Sequence, residues 1–260
     1  MSSCKKYFIH LAYKGTNYQG WQRQKNGLGI QEIVEDALSR MFKQKINLHA
    51  CGRTDAGVHA SQFFCHTMIK EPWGFDAVFR INKMLPTDIS VYDFIPVADS
   101  ANAQLDALTR TYDYHIHTTP NPFLAELSTF YEITNLDITA MQSAVKLLTQ
   151  YSDFRSFCKQ PDLYKTTLCE VSSATLIVDE SQTRLNFQIT ANRFLKAMVR
   201  ILVANLIQIG KQEMELDTFE AKLKNPQLSQ QPLFAYPQGL YLSKVVYPYL
   251  ELVTMEKQDV

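Results

Sequence analysis

Gly52-Arg53-Thr54-Asp55-Ala56-Gly57-Val58-His59-Ala60 is the stretch on which the reading of this chain turns. The run before it, Ile46 to Ala50, and the run after it, Phe63 to Ile69, both have the apolar and β-branched character of strands. The nonapeptide therefore reads as a loop at a strand end, with two glycines bracketing an Arg and an Asp. Such a loop presents the Asp55 carboxylate, and Arg53 two residues earlier can hold it ionised, since a cation within about 4–6 Å lowers an acid's pKa. An ionised aspartate suits a nucleophile or an electrostatic stabiliser. Asp-Ala-Gly is also an ordinary turn sequence, and spacing alone does not separate the two.

Outward from this loop the chain alternates strands and helices. Tyr7 to Tyr13 reads as a strand ending in the polar, glycine-containing loop Lys14 to Gln22. Ile30, Ile33, Val34, Ala37, Leu38, Met41 and Phe42 recur at helical spacing. Another strand is expected from Ile89 to Phe94. Residues 97–106 are small and polar and read as a connector, after which a similar series begins again. It comprises a strand through Tyr112, Tyr114 and Ile116, and a helix capped by Asp137 that carries Met141, Val145 and Leu148. Strands follow at Val171 to Val178 and Leu185 to Thr190, then a helix from Phe194 to Ile209 and a last strand from Leu240 to Tyr247. The expected class is α+β, with two α/β domains at 1–105 and 106–260 whose sheets are mixed and mostly antiparallel, packed by helices.

The chain has 260 residues, with 26 Lys+Arg against 26 Asp+Glu and 46% hydrophobic residues. That composition excludes disorder, collagen-like repeats and a coiled coil as whole-chain descriptions. A formal charge of zero argues at first against a nucleic-acid partner. The distribution argues otherwise: no Asp or Glu occurs in 1–31, 37–54 or 181–212, which between them carry 14 Lys and Arg. No start resembling a signal peptide and no run of roughly 18 apolar residues is evident. Five cysteines without a C-x-x-C pair fit free thiols, and a cytoplasmic location is expected.

Two further groups could carry chemistry. Arg193, Lys196 and Arg200 fall at i, i+3 and i+7, one face of the expected helix, and could track phosphates or simply be solvated. Arg110, Tyr112 and Tyr114 alternate on one strand face, a combination that suits a nucleobase and is also common in sheets. His49, Cys51, His59, Cys65 and His66 match no zinc spacing, and no phosphate-binding loop, dinucleotide fingerprint or nucleophile elbow is present.

Taken in order, these segments resemble the tRNA pseudouridine synthase A family. The match runs from Tyr13-Lys14-Gly15-Thr16-Asn17-Tyr18-Gln19-Gly20-Trp21-Gln22-Arg23-Gln24 to Gly239-Leu240-Tyr241-Leu242. Between them come the nonapeptide, Asn82-Lys83-Met84-Leu85-Pro86-Thr87-Asp88, Arg110-Thr111-Tyr112-Asp113-Tyr114, Asp153-Phe154-Arg155-Ser156-Phe157 and Phe194 to Arg200.

The resemblance implies a pseudouridine synthase fold with the active-site cleft between two domains. It also implies isomerisation of uridine to pseudouridine at positions 38, 39 and 40 of the tRNA anticodon arm. No metal or other cofactor is implied, no membrane is involved, and the enzyme is a homodimer. Asp55 takes the place of the nucleophile, and attack on the sugar or on the base both remain open. Arg53 and Arg200 match arginines that pair with it or take the flipped nucleotide's position. Tyr112 matches the base-contacting tyrosine and Leu240 a pocket residue, while Arg110, Lys196 and Arg193 are expected to bind substrate.

Two positions depart from the family: Gln104 stands where an Arg is usual, and Ala204 replaces a small Gly. A catalytically inactive tRNA-binding or folding protein on the same scaffold is the alternative. A metal-dependent hydrolase built on Asp55, His59 and His66 is a third reading.

Overall fold

Strand β1 (Ser3–Tyr13) lies inside a sheet, paired on one side with β3 (His59–Glu71) and on the other with β4 (Ile89–Pro96). Its Phe8, Ile9 and Leu11 are fully buried, as a run of mixed aromatic and β-branched residues requires. The computed structural model describes residues 3–225 and 232–250. Between β1 and β3 come helix α1 (Ile30–Phe42) and the short β2 (His49–Ala50), which pairs with β3. Helix α1 buries Ile30, Val34, Leu38 and Met41, the face its spacing predicted. The six-residue helix α2 (Ala77–Asn82), capped by Asp76, precedes β4.

The second half opens with β5 (Thr109–His117) and the short β6 (Thr129–Phe130). Helix α3 (Ile138–Leu147) follows, with the Asp137 carboxylate accepting from the Ala140 amide as expected of its cap. Next come β7 (Val171–Val178) and β8 (Arg184–Ala191), then α4 (Met198–Gly210), α5 (Leu216–Lys224) and β9 (Leu240–Val246).

The strands of both halves form one nine-stranded sheet, ordered β4-β1-β3-β9-β5-β8-β7, with β2 on β3 and β6 on β5. Pairing is antiparallel except between β3 and β9 and between β5 and β6. The chain's last described strand thus sits between the halves. Its parallel register with β3 is His59↔Tyr241 and Ala60↔Leu242, the two residues that end the nonapeptide. The Asp55 loop consequently lies at the seam of the sheet.

Two cores flank that seam. One gathers Phe8, Trp21, Phe63 and Phe64 under α1, and it also takes in Leu242 and Val245 of β9. The other gathers Phe154, Phe157, Phe187 and Phe219 with α3 and α4. Tyr112 packs against both.

Helix α4 corrects an expectation. It begins at Met198, not near Phe194, because Ala197 adopts a left-handed conformation with φ 59°. The residue before it is held by non-helical partners: the Lys196 amide donates to the Tyr164 hydroxyl, and its carbonyl accepts from the Lys159 amide. Arg193 and Lys196 therefore lie in a loop, and only Arg200 of the three cations is on the helix. Among the described residues no helix is long and apolar enough to cross a membrane.

Candidate active site

The Asp55 loop is pinned by main-chain contacts from the first loop of the chain. Trp21 N–H donates to Thr54 O, Gly57 N–H donates to Tyr18 O, and the Tyr13 and Thr54 hydroxyls share a hydrogen bond of 2.9 Å. The two loops approach so closely that a Cβ on Gly15 would stand 2.0 Å from Val58 O. Gly20, at φ 82°, would place one 2.3 Å from Thr54 O. The side chain of His59 closes the far end. Its Nδ1 accepts from Gly15 N–H at 2.9 Å, which leaves Nε2 as the protonated nitrogen facing Gln238 O at 3.1 Å. Burial pushes the His59 pKa down, which keeps that ring neutral.

The cation beside Asp55 is Arg200. Its Nη1 stands 3.5 Å from the Asp55 carboxylate, while its Nε donates to Ala235 O at 2.7 Å and its guanidinium lies 5.8 Å from the centre of the Phe234 ring. Arg53, expected to supply that charge, is exposed and forms no ion pair among the described residues. The correction follows from geometry: the neighbouring arginine lies at the loop's surface, whereas α4 carries Arg200 to the carboxylate.

Asp55 opens onto a cavity of about 810 Å³. Seven of the eight sequence-predicted site residues line it: Arg53, Asp55, Arg110, Tyr112, Arg193, Lys196 and Leu240. Arg200 reaches Asp55 without being part of that lining. Tyr112 forms a wall with Phe194, their rings edge to face at 4.9 Å. Leu240, 6% exposed, lies at the start of β9. Burial, followed by the nearby Cys51 and then by Asp55, pushes the Tyr112 phenol above its ordinary range, against a smaller opposing pull from Arg110. It is therefore neutral at physiological pH. Tyr114, on the same strand, is fully buried and donates to Tyr236 O, so the platform on this face is Tyr112.

Four cations and one carboxylate border the cavity, a balance that favours an anionic ligand. The acid-free windows contribute unequally to it. In the first, Lys5 pairs with Glu71, Lys14 with Glu126, and Arg23 with Glu32, Glu35 and Asp36, so that stretch is largely neutralised by acids folded against it. The other two windows bring Arg53, Arg193 and Lys196 to the lining of the Asp55 cavity.

Sequence reading missed Tyr164, whose ring lies 5.9 Å from the Arg193 guanidinium and lines the cavity, and Asn192 beside it. Neither position carried a signal. A second cavity, of about 790 Å³, shares Gly52, Arg53 and Gln104 with the first.

The metal reading finds no footing in this geometry. His59 uses both ring nitrogens on main-chain groups, and His66 Nδ1 accepts from the Ala103 amide. Among the described residues no three His, Cys, Asp or Glu side chains come together as a metal site.

Comparison with known proteins agrees with this geometry. A family described as tRNA pseudouridine synthase matches residues 144–248. A tRNA pseudouridine synthase A from Bacteroides fragilis is 39% identical over 249 residues, covering 95% of this chain and 98% of that protein. One from Porphyromonas gingivalis is 37% identical over 246 residues, covering 94% and 97%. The chain belongs to the tRNA pseudouridine synthase A family. A more distant member of the family, from Staphylococcus aureus, is 31% identical and still covers 95% of the chain, so the likeness spans both halves of the sheet.

Proposed function

We propose that this chain isomerises uridine to pseudouridine in tRNA, at positions 38, 39 and 40 of the anticodon arm, with Asp55 as the nucleophile. The observation that carries the reading is Asp55 itself. Its carboxylate stands beside one cation at the mouth of a cavity walled by Tyr112 and Leu240 and rimmed by Arg53, Arg193 and Lys196. Family membership supplies the reaction class, an isomerase acting on tRNA.

The chemistry balances without a co-reactant. The N1–C1′ bond breaks, the base turns, and a C5–C1′ bond forms. The C5 proton leaves to solvent and N1 takes one up. The target nucleotide must leave its stack, at a cost of a few kcal/mol. The cationic rim offsets that cost by holding phosphates, and Tyr112 offers its face to the flipped base. Tyr112, on the wall of the cavity with Phe194, serves as a surface and hydrogen-bond partner for that base.

The same reading takes residues 1–105 and 106–260 as two domains with the cleft between them, a homodimer as the active form, and the cytoplasm as the location. Two hydrophobic cores lie on either side of the seam, the first drawing Leu242, Val245 and Tyr247 of the second half into it and the second drawing in Val58 of the first.

Release of tritium from C5-labelled uridine in tRNA tests the reading. Asp55→Asn should abolish release. Salt-sensitive tRNA binding without any release would instead assign the chain to the inactive binding proteins.

A further inference from the structure

Arg110 leaves β5 two residues before Tyr112, and its guanidinium donates only to main-chain carbonyls. Nε and Nη2 reach Cys51 O at 3.3 and 2.9 Å, and Nη2 also reaches Gln104 O at 2.7 Å. Nη1 reaches Asn192 O at 3.1 Å and Ala107 O at 3.4 Å. No carboxylate pairs with it among the described residues. An arginine has five N–H donors in a fixed planar fork, and here both Nη groups and Nε are engaged within the protein.

The four carbonyls belong to three segments that border the cavity. Cys51 is the last residue before the Asp55 loop, Gln104 lies in the connector with Ala107 just after it, and Asn192 immediately precedes Arg193. Cys51 N–H is already fixed on Phe64 O at 2.8 Å, so Arg110 completes the anchoring of the loop's entry. The middle and end of the loop are held separately, by Trp21, Tyr13 and Tyr18. Substitution of Arg110 therefore releases the entry to the loop and leaves the rest attached.

We propose that Arg110 is a positioning residue for the isomerisation: it sets the Asp55 loop against the Tyr112 wall through the carbonyl of Cys51, and does not contact RNA phosphate. This inference rests on the reading of Asp55 as the nucleophile. A nucleophile displaced by about 1 Å can lose roughly a hundredfold in rate without any change in substrate affinity.

The test compares Arg110→Lys and Arg110→Met with the unaltered protein by single-turnover tritium release at saturating tRNA. tRNA affinity is measured at several salt concentrations, and amide exchange is followed over residues 51–58. The expected result is a rate at saturation lower by about a hundredfold in both variants, with affinity within about twofold and an unchanged salt slope. Lysine should not rescue, because one ammonium cannot span carbonyls on three segments. Amides of 51–58 should exchange at least about tenfold faster, with β5 and β8 still protected.

Weaker binding with a salt slope reduced by about one phosphate, and a normal rate at saturation, would overturn the proposal in favour of an RNA contact. Full activity of Arg110→Lys would overturn it in favour of charge alone, and a variant unfolded at assay temperature would assign Arg110 to global stability. If the unaltered protein releases no tritium, the functional reading fails, and exchange over 51–58 still decides whether Arg110 holds that loop.

Discussion

The Asp55 carboxylate meets the Arg200 guanidinium at 3.5 Å across 145 residues of sequence, while Arg53, two positions away, forms no ion pair among the described residues. A charge-assisted hydrogen bond at its strongest measures about 2.7–2.9 Å. The longer contact keeps a positive charge near the carboxylate without binding it in a tight two-point bridge. Arg200 is held in place instead by Ala235 O, so its position is set before any substrate arrives. If Asp55 is the nucleophile, as proposed, such an arrangement leaves its oxygens available for attack, which a closed salt bridge would oppose by stabilising the ground state.

The two arginines should therefore fail differently. Arg200→Met should lower the rate of tritium release at saturating tRNA by on the order of 10²–10³-fold. Arg200→Lys should recover only part of it, because one ammonium nitrogen cannot take the places of both Nε on Ala235 O and Nη1 beside Asp55. Arg53→Met should instead weaken tRNA binding and reduce the salt slope by about one, with the saturated rate nearly intact. Equal loss of saturated rate in both variants would contradict this division of roles.

Tyr112→Phe isolates the phenol. Among the described residues the Tyr112 hydroxyl makes no hydrogen bond, so its removal should leave thermal stability within about 1 °C. The ring contact with Phe194 persists in the variant. A loss of turnover without a loss of stability would place the hydroxyl against the substrate. Unchanged turnover would limit Tyr112 to the stacking face.

What could be read in the sequence follows from how local each signal is. Helix α1 carries its periodicity within its own residues, Asp137 announces α3 by its cap, and β7 falls at Val171–Val178, the limits its composition suggested. The nonapeptide placed Asp55 on a loop at a strand end. The start of α4 was not legible, because the left-handed turn falls on Ala197, a residue type that rarely signals one, and its cause is a contact with Tyr164 far away in sequence. The pairing of Asp55 with Arg200 and the carbonyl clamp of Arg110 are equally non-local. Helix α5 carries a weak signal, Leu216, Phe219 and Leu223 at i, i+3 and i+7, diluted by its many charges.

Gly20→Ala tests the close approach of the two loops. At φ 82°, with a Cβ that would meet Thr54 O at 2.3 Å, alanine is both strained and obstructed by backbone that cannot rotate away. The variant should lose about 2 kcal/mol or more of stability. It should also lose activity at temperatures where it remains folded, since relief of the clash displaces Thr54 and with it Asp55. Calorimetry and tritium release on the same sample check both parts.

Acid should destabilise the fold through its histidines. His10, His59, His66 and His117 all have pKa values pushed down by burial, His66 to about 4 from an ordinary 6.5. For His66 the charges of His49 and Lys6 add to burial and Asp106 opposes them. A lowered native pKa means that the unfolded chain binds more protons as pH falls below about 6.5, so stability is present above that value. It is lost progressively as pH falls from 6.5 toward 4. Melting temperature should drop across that window, and His66→Asn, which keeps an acceptor for the Ala103 amide, should flatten the drop. A melting temperature constant from pH 7 to 4.5 would rule this out.

Gln104→Arg addresses one of the two positions at which the sequence reading expects this chain to depart from the family pattern. The main chain of Gln104 is fixed, its amide on Asn102 Oδ1 at 2.9 Å and its carbonyl on Arg110, so a change of side chain leaves the connector in place. Its exposed side chain borders both cavities, as does Arg53. An arginine there would add a cation beside Arg53, at a position shared by the two cavities. tRNA affinity at moderate salt should rise several-fold and the salt slope should steepen by about one, while the saturated rate stays the same, because no group touching Asp55 has moved. If affinity and slope are both unchanged, that position lies off the RNA path, and the departure at position 104 has no bearing on how this protein holds tRNA.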